Sequence, residues 1–357
     1  MRASSSSSPV LTLALAAGLV LAPPLAGATE PAPVPVPPTD PATQVAGSVE
    51  GMTRGTGIVP GVGGGDGPAV YGTPDAPAGA PSRYVALGDS FASVGRIVPA
   101  AWLDGPSSCV RTADAYPPLV ARGLGAATFV NATCGGAITD DLLGPNEDGV
   151  PPQLDALDAG TDLVTLTIGG NDVGFGAVID ACAIRPNAER AGVLPLVEPM
   201  ADELAEKFDT RAGCPDVVER QAPAALAALD SRLDEVYAEI HRRSPDARVV
   251  AVGYLTAVPD DATLFAEPDC APLTVVSAEE RDGVRRFQED INRVVAAAAE
   301  RNGATAVIPD EPGHSMCAPV AERWVDLTGM QTGAAPIHPT SAGHAHVAQR
   351  VLGALGG

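Results

Sequence analysis

Residues 84–93 read YVALGDSFAS, and the fold turns on how that stretch is divided. Tyr84–Leu87 is a short, unbroken apolar run with no polar alternation, the pattern of a strand buried on both faces. It runs into Gly88-Asp89-Ser90, where a glycine permits a sharp turn and a serine follows it. The same arrangement recurs along the chain. Thr128–Asn131 leads to Cys134-Gly135-Gly136, and Leu163–Ile168 leads to Gly169-Gly170-Asn171-Asp172. Arg248–Val252 and Ala304–Ile308 are two further β-branched runs. Between them lie helical patterns: Leu226, Leu229, Leu233, Val236, Tyr237 and Ile240, then Val284, Phe287, Ile291, Val294, Val295 and Ala298. A last helix is predicted from an N-cap at Ser341 to about Ala354. Alternating strands and helices predict an α/β domain with a parallel sheet covered on both faces.

In open α/β sheets the ligand site lies beyond the carboxyl ends of the strands. With a flavodoxin-like strand order, the clusters at 88–90, 134–136 and 169–172 would sit side by side on one edge. Together they offer the parts of an acyl-transfer site. Ser90 can be a nucleophile that also presents its own N–H, although a serine after a strand can equally be a helix N-cap. Gly136 offers an N–H with no side chain in the way, or is simply a turn glycine. Asn171 can aim its amide into the site, or stabilise a turn. His338, before Pro339 and the last helix, is the candidate base. His344 and His346 fall inside that helix and read as solvent-facing or packing residues, and His241 and His314 as structural. The long stretches 173–220 and 254–282 carry cysteines and prolines and are expected to be disulfide-tied excursions over the same edge.

The start of the chain bears on compartment. Arg2, a serine stretch, an apolar run from Val10 to Ala22 and the small-residue site Ala26-Gly27-Ala28 read as a signal peptide over residues 1–28. Thr29 stands where a lipid-anchored precursor would carry cysteine, so a freely released protein is expected. No later segment approaches the roughly 18 apolar residues of a membrane helix. Residues 29–82 are Pro-, Ala-, Gly- and Val-rich and predict a disordered or polyproline-like linker. Its Gly63–Gly67 cluster has neither a preceding strand nor a following Lys-Ser/Thr pair, so it is not read as a phosphate loop. Residues 83–357 then form one domain. The net charge is −22, with Lys207 the single lysine. That excludes nucleic acid and anionic membranes as electrostatic partners. The six cysteines, Cys109, Cys134, Cys182, Cys214, Cys270 and Cys317, lie beyond the linker. An even count behind a signal peptide implies three disulfides with 15 connectivities open. Sequential pairing, 109–134, 182–214 and 270–317, is taken as the expectation. With no Cys-x-x-Cys pair and scattered histidines, no metal and no cofactor is expected. A monomer is expected.

Taken together, YVALGDSFAS, NATCGGAITDD (131–141), LVTLTIGGNDVGF (163–175) and IHPTSAGHAHVA (337–348) resemble, in this order and spacing, the blocks of the SGNH hydrolase superfamily, the GDSL lipases/esterases. The chain is most similar to the secreted actinobacterial lipase/esterase branch, and the resemblance extends over residues 83–357. It implies a three-layer α/β/α, flavodoxin-like sandwich with a five-stranded parallel sheet and three disulfides. It also implies roles: Ser90 as nucleophile, His338 as base, and an oxyanion hole of Ser90 N–H, Gly136 N–H and the Asn171 side chain. The family usually carries an aspartate three residues before the histidine, and here that position is Ala335. Some secreted relatives use a main-chain carbonyl there, so the Ala335 carbonyl is the expected orienter of His338. Asp326 is the less suitable substitute.

The leading reading is therefore a secreted serine carboxylic-ester hydrolase acting through a Ser90 acyl-enzyme, with activity rising as His338 loses its proton near about pH 6–7. The missing aspartate motivates a second reading, a non-catalytic secreted binding protein that keeps the fold. Phospholipids and acetylated polysaccharides are alternative ester substrates. An aromatic content of 4% leaves few platforms for polysaccharide and tilts the reading toward acyl or lipid esters.

Overall fold

A computed structural model describes residues 59–60, 68–73, 76–97, 103–104, 109–191, 208–259, 270, 273 and 276–356. The expected signal peptide and the Gly63–Gly67 cluster lie outside the described residues. In chain order the strands are β1 (Val59–Pro60), β2 (Ala69–Gly72), β3 (Arg83–Gly88), β4 (Leu103–Asp104), β5 (Arg111–Thr112), β6 (Thr128–Asn131), β7 (Leu163–Thr167), β8 (Arg248–Val252), β9 (Thr305–Val307), β10 (Val325–Asp326) and β11 (His338–Pro339). The helices used below are α1 (Ser90–Ser93), α2 (Tyr116–Leu124), α3 (Ala222–Arg243), α4 (Ala278–Arg301) and α5 (Ser341–Leu355).

The central sheet runs β1-β2-β6-β3-β7-β8-β9, and the stretch from β6 to β9 is parallel throughout. Its parallel part therefore has the flavodoxin-like order, with the chain reversing direction between β3 and β7. Both strands are buried along their length except at Arg83. Their side chains point alternately to opposite faces, so complete burial requires cover on both. Helix α2 packs with α5, and α3 with α4. The predicted helical faces are the buried ones: Leu229, Leu233, Val236, Tyr237 and Ile240 on α3, and Val284, Phe287, Ile291, Val295 and Ala298 on α4. A capping box between Ser277 and Glu280 starts α4. Core hydroxyls are paired rather than stranded: Tyr84 Oη lies 2.8 Å from Thr165 Oγ1, and Tyr116 Oη 2.9 Å from Thr167 Oγ1.

Two boundaries differ from expectation. Residues 29–82 are not linker throughout, because β2 pairs antiparallel with β6, the outermost strand of the parallel part, and β1 pairs with β2. Val70 and Tyr71 supply strand-forming side chains, and Tyr71 stacks on Phe129, which stacks on Tyr84. The added strand covers what would be an open sheet edge. The last helix is capped by Thr340, not Ser341: Thr340 Oγ1 accepts from Gly343 N–H at 3.1 Å. Ser341 Oγ instead donates to Asp114 Oδ2 at 2.6 Å.

The disulfides are Cys109–Cys134, Cys182–Cys214 and Cys270–Cys317, as expected. They close sequence separations of 25, 32 and 47 residues, worth roughly 3–4 kcal/mol each in the chain-entropy picture. The second ties the excursion after β7, where Phe175–Ala191 is helical with a π-type segment at Asp180–Ile184. No described helix is long and apolar enough to cross a membrane.

Candidate active site

Ser90, Gly136, Asn171 and His338 line a single cavity of about 170 Å³ at the carboxyl ends of β3, β6 and β7. Gly88 allows the end of β3 to press against β7, because a Cβ there would lie 2.2 Å from the Thr167 carbonyl oxygen. The chain then turns into α1, whose N-cap is Asp89: its Oδ1 accepts from Phe91 N–H at 2.9 Å. Capping thus falls to the residue before Ser90, and the serine hydroxyl is not consumed by it.

Gly136 sits at φ 78°, and a Cβ there would meet nothing within 4 Å. The glycine is required by the left-handed backbone and opens onto free space where a carbonyl can approach. Its loop is anchored by the Cys109–Cys134 bridge, by Cys134 N–H to Gly88 O at 2.9 Å and by Gly135 N–H to Cys109 O at 2.8 Å. Asn171 Nδ2 donates to Ala137 O at 3.0 Å, which fixes the amide plane and leaves its second hydrogen available. Asp172 ties the same two loops together, accepting from Thr139 N–H at 3.0 Å and Thr139 Oγ1 at 2.5 Å.

His338 arrives on the β10–β11 ribbon, where it pairs in register with Asp326. Its Nδ1 lies 2.7 Å from the Pro336 carbonyl oxygen. A carbonyl only accepts, so Nδ1 carries the hydrogen and Nε2 keeps its lone pair. The expected partner, the Ala335 carbonyl, is therefore corrected to Pro336. The Ala335 oxygen accepts the backbone N–H of His338 at 3.2 Å instead. The reason is local backbone geometry: Ile337 lies at φ 60°, rare for a β-branched residue, and this kink turns the preceding carbonyl onto the imidazole. Asp326 is engaged elsewhere, accepting from Thr328 N–H, Gly329 N–H and Thr332 Oγ1 at 3.1, 2.9 and 2.6 Å. Burial pushes the His338 imidazole down to about 4, against the upward pull of the Pro336 carbonyl. The ring is thus neutral well below the expected pH 6–7 limb.

The other histidines are structural. His344 is fully buried, accepting from Tyr116 N–H at 3.1 Å and facing Val94 O at 3.0 Å. His314 and His346 stack on opposite sides of Trp324, and His241 Nε2 lies 2.9 Å from Asn302 O. Among the described residues no cluster of His, Cys, Asp or Glu has the form of a metal site.

One site residue escaped the sequence reading. Tyr254 lines the cavity, donates from Oη to Asp89 Oδ2 at 2.6 Å and accepts from Gly170 N–H at 2.7 Å. Burial raises the Asp89 carboxyl to about 7, against the lowering effect of the Tyr254 and Phe91 bonds. The signal available was position: Gly253-Tyr254 directly follows β8, a fourth strand ending on the same edge. The remaining wall is largely apolar, with Phe175, Ile179, Ile184, Leu255, Ile291 and Ile337 beside a single amide, Gln288.

Residues 86–346 match the GDSL-like lipase/acylhydrolase family. Lipase 2 of Streptomyces coelicolor is 35% identical over 282 residues, covering 76% of this chain and 85% of that protein. Phospholipase A1 from Streptomyces albidoflavus NA297 superposes with a TM-score of 0.57 at 29% identity, covering 77% of this chain and 99% of that one. The extracellular lipase from Streptomyces rimosus gives 0.55 at 28% identity, covering 76% and 99%. The chain belongs to the GDSL-like lipase/acylhydrolase family and is a carboxylic-ester hydrolase.

Proposed function

We propose that the protein is released from the cell and hydrolyses acyl esters through an acyl-enzyme on Ser90. The observation that carries this reading is the convergence of Ser90, Gly136, Asn171 and His338 on one cavity, with the His338 Nδ1 hydrogen held by Pro336. The neutral Nε2 takes the Ser90 hydroxyl proton as Oγ attacks the ester carbonyl. The oxyanion is received by the N–H groups of Ser90 and Gly136 and by Asn171 Nδ2. His338 returns the proton to the leaving alcohol, then activates the water that releases the acid. A carbonyl orients the imidazole without the counter-charge of an aspartate, so the site works as a Ser–His dyad.

The largely apolar wall supports acyl or lipid esters over acetylated polysaccharide. The likeness to a phospholipase A1 adds phospholipid esters to the substrates for assay. The disulfides and the leader-like residues 1–28 support release, checked by recovering protein beginning at Thr29 from the medium. The decisive experiment compares wild type with Ser90→Ala on p-nitrophenyl esters of increasing chain length. Turnover should fall on the order of 10⁶-fold, and an organophosphate should label Ser90 alone. A Ser90→Ala enzyme of wild-type rate would refute the assignment.

A further inference from the structure

The oxyanion donors sit on loops that follow different strands, and their mutual placement must hold to a fraction of an ångström for the developing charge to be met. Between the β6 and β7 loops that placement is secured by Thr139 and Asp172. Between the β3 and β7 ends Asp89 N–H donates to Thr167 O at 2.9 Å, and further along the loops a side-chain link is added by a residue after β8. We propose that the Tyr254 hydroxyl is a positioning group for ester hydrolysis, bridging Asp89 and the Gly170 N–H so that the loop carrying Ser90 is locked to the loop carrying Asn171. The inference rests on the hydrolytic reading above.

The geometry is specific. Tyr254 Oη spends its hydrogen on Asp89 Oδ2 at 2.6 Å and a lone pair on Gly170 N–H at 2.7 Å. Asp89 directly precedes Ser90 and Gly170 directly precedes Asn171. The tyrosine is itself held from α4, where Asn292 Oδ1 accepts Tyr254 N–H at 2.7 Å and Asn292 Nδ2 donates to Tyr254 O at 2.9 Å. Its ring meets Phe91 edge-on at 5.0 Å, and a Cβ on Gly170 would touch the ring at 3.1 Å. A bridge between two loops that is anchored from a third element cannot drift with either of them.

Asp89 has a second property that a packing residue would lack. Both its oxygens act as acceptors, Oδ1 from Phe91 N–H and Oδ2 from Tyr254 O–H, which is the pattern of the ionised form. Adding a proton turns one of the two oxygens into a hydroxyl, a poorer acceptor, and weakens the link made there. The groups that act on Asp89 are Tyr254, Asp172 and Tyr116, and the His338 ring lies against Phe91. Burial holds the His338 imidazole low and the Asp89 carboxyl high, so an acid limb close to neutrality is assigned to Asp89.

The test measures kcat and KM of wild type, Tyr254→Phe, Asp89→Asn and Ser90→Ala on one p-nitrophenyl ester across about pH 5–9. Phenylalanine keeps the ring and its packing and removes only the hydroxyl. Tyr254→Phe should lose kcat on the order of 10- to 10²-fold, less than deletion of an oxyanion donor, with KM within about threefold. Its acid limb should move to higher pH, because the lost O–H helped keep Asp89 ionised. Asp89→Asn, which cannot accept on both sides, should lose kcat similarly and lose the limb. An inert Ser90→Ala beside a Tyr254→Phe of wild-type kcat would overturn this inference alone. So would a loss that is uniform in pH with the limb unmoved. An active Ser90→Ala would overturn the hydrolytic reading and this inference with it.

Discussion

The loops after β3, β6 and β7 and the β10–β11 ribbon deliver parts of the same cavity by different routes. Ser90, Gly136 and Asn171 each follow within a few residues of a buried strand, so the sheet ladder sets their positions and only short backbone turns intervene. His338 has no such support. It rides on a short ribbon held by Asp326 and Trp324 backbone groups, and its ring is aimed by a carbonyl that the kink at Ile337 turns toward it. The first route is rigid because it inherits the order of the core. The second depends on hydrogen bonds among loop residues, and the strain is stored there.

That contrast can be attacked from either side. On the strand-end side, Asn171→Ala should lower kcat by on the order of 10²–10³ with little change in KM, since a donor is lost only where charge develops. Steady-state kinetics on a short-chain ester would check it, and an unchanged kcat would reduce Asn171 to a tie to Ala137.

On the histidine side the next effect is on stability. The folded His338 pKa is about 4, below the ordinary value near about 6.5. As pH falls through that window the unfolded chain takes up the proton first, so stability drops, by up to about 3 kcal/mol from this group. Urea unfolding at a series of pH values should show a smaller fall for His338→Gln than for wild type. Parallel curves would mean that the imidazole is not held neutral by burial.

Ala335→Asp restores the residue type usual at this position. Nδ1 is already bonded to Pro336, and Ala335 is fully buried. The variant should therefore gain no activity and lose roughly 1–3 kcal/mol of stability through a poorly satisfied buried carboxyl. A tenfold rise in kcat would show instead that the ribbon readily re-forms around an acid.

Thr340→Ala should cost about 1 kcal/mol, as is usual for loss of an N-cap side chain, and Thr340→Ser, which keeps the accepting oxygen, less. A Thr340→Ala protein of unchanged midpoint in thermal or urea unfolding would mean that Thr340 is not the cap. Such small changes next to His338 also report how far the ribbon tolerates a shift of α5.

The comparison explains what could be read in advance. Tyr84–Leu87, Thr128–Asn131 and Leu163–Thr167 are local apolar runs, so their strands and the clusters that follow them were legible from composition and periodicity alone. The sequential cysteine pairs emerged as expected because each closes a loop of moderate length. The antiparallel strand Ala69–Gly72 was hidden in a stretch whose average composition reads as linker, since four residues that gain a partner weigh little in an average. Tyr254 was hidden for a different reason. Nothing in its neighbourhood along the chain marks it, and its two partners are 165 and 84 residues away.

By itself the sequence determined the class of fold, through hydrophobic periodicity, and the family, through its motif blocks, and it offered the candidate reactive groups; all three are local properties of the chain. Tertiary structure decided what those groups are bonded to: Asp89 rather than Ser90 as cap, Pro336 rather than Ala335 behind the histidine, and Tyr254 between the loops. Hydrogen-bond partners are set by directions and distances of a few tenths of an ångström, and those exist only once the sheet, the ribbon and the helices have packed.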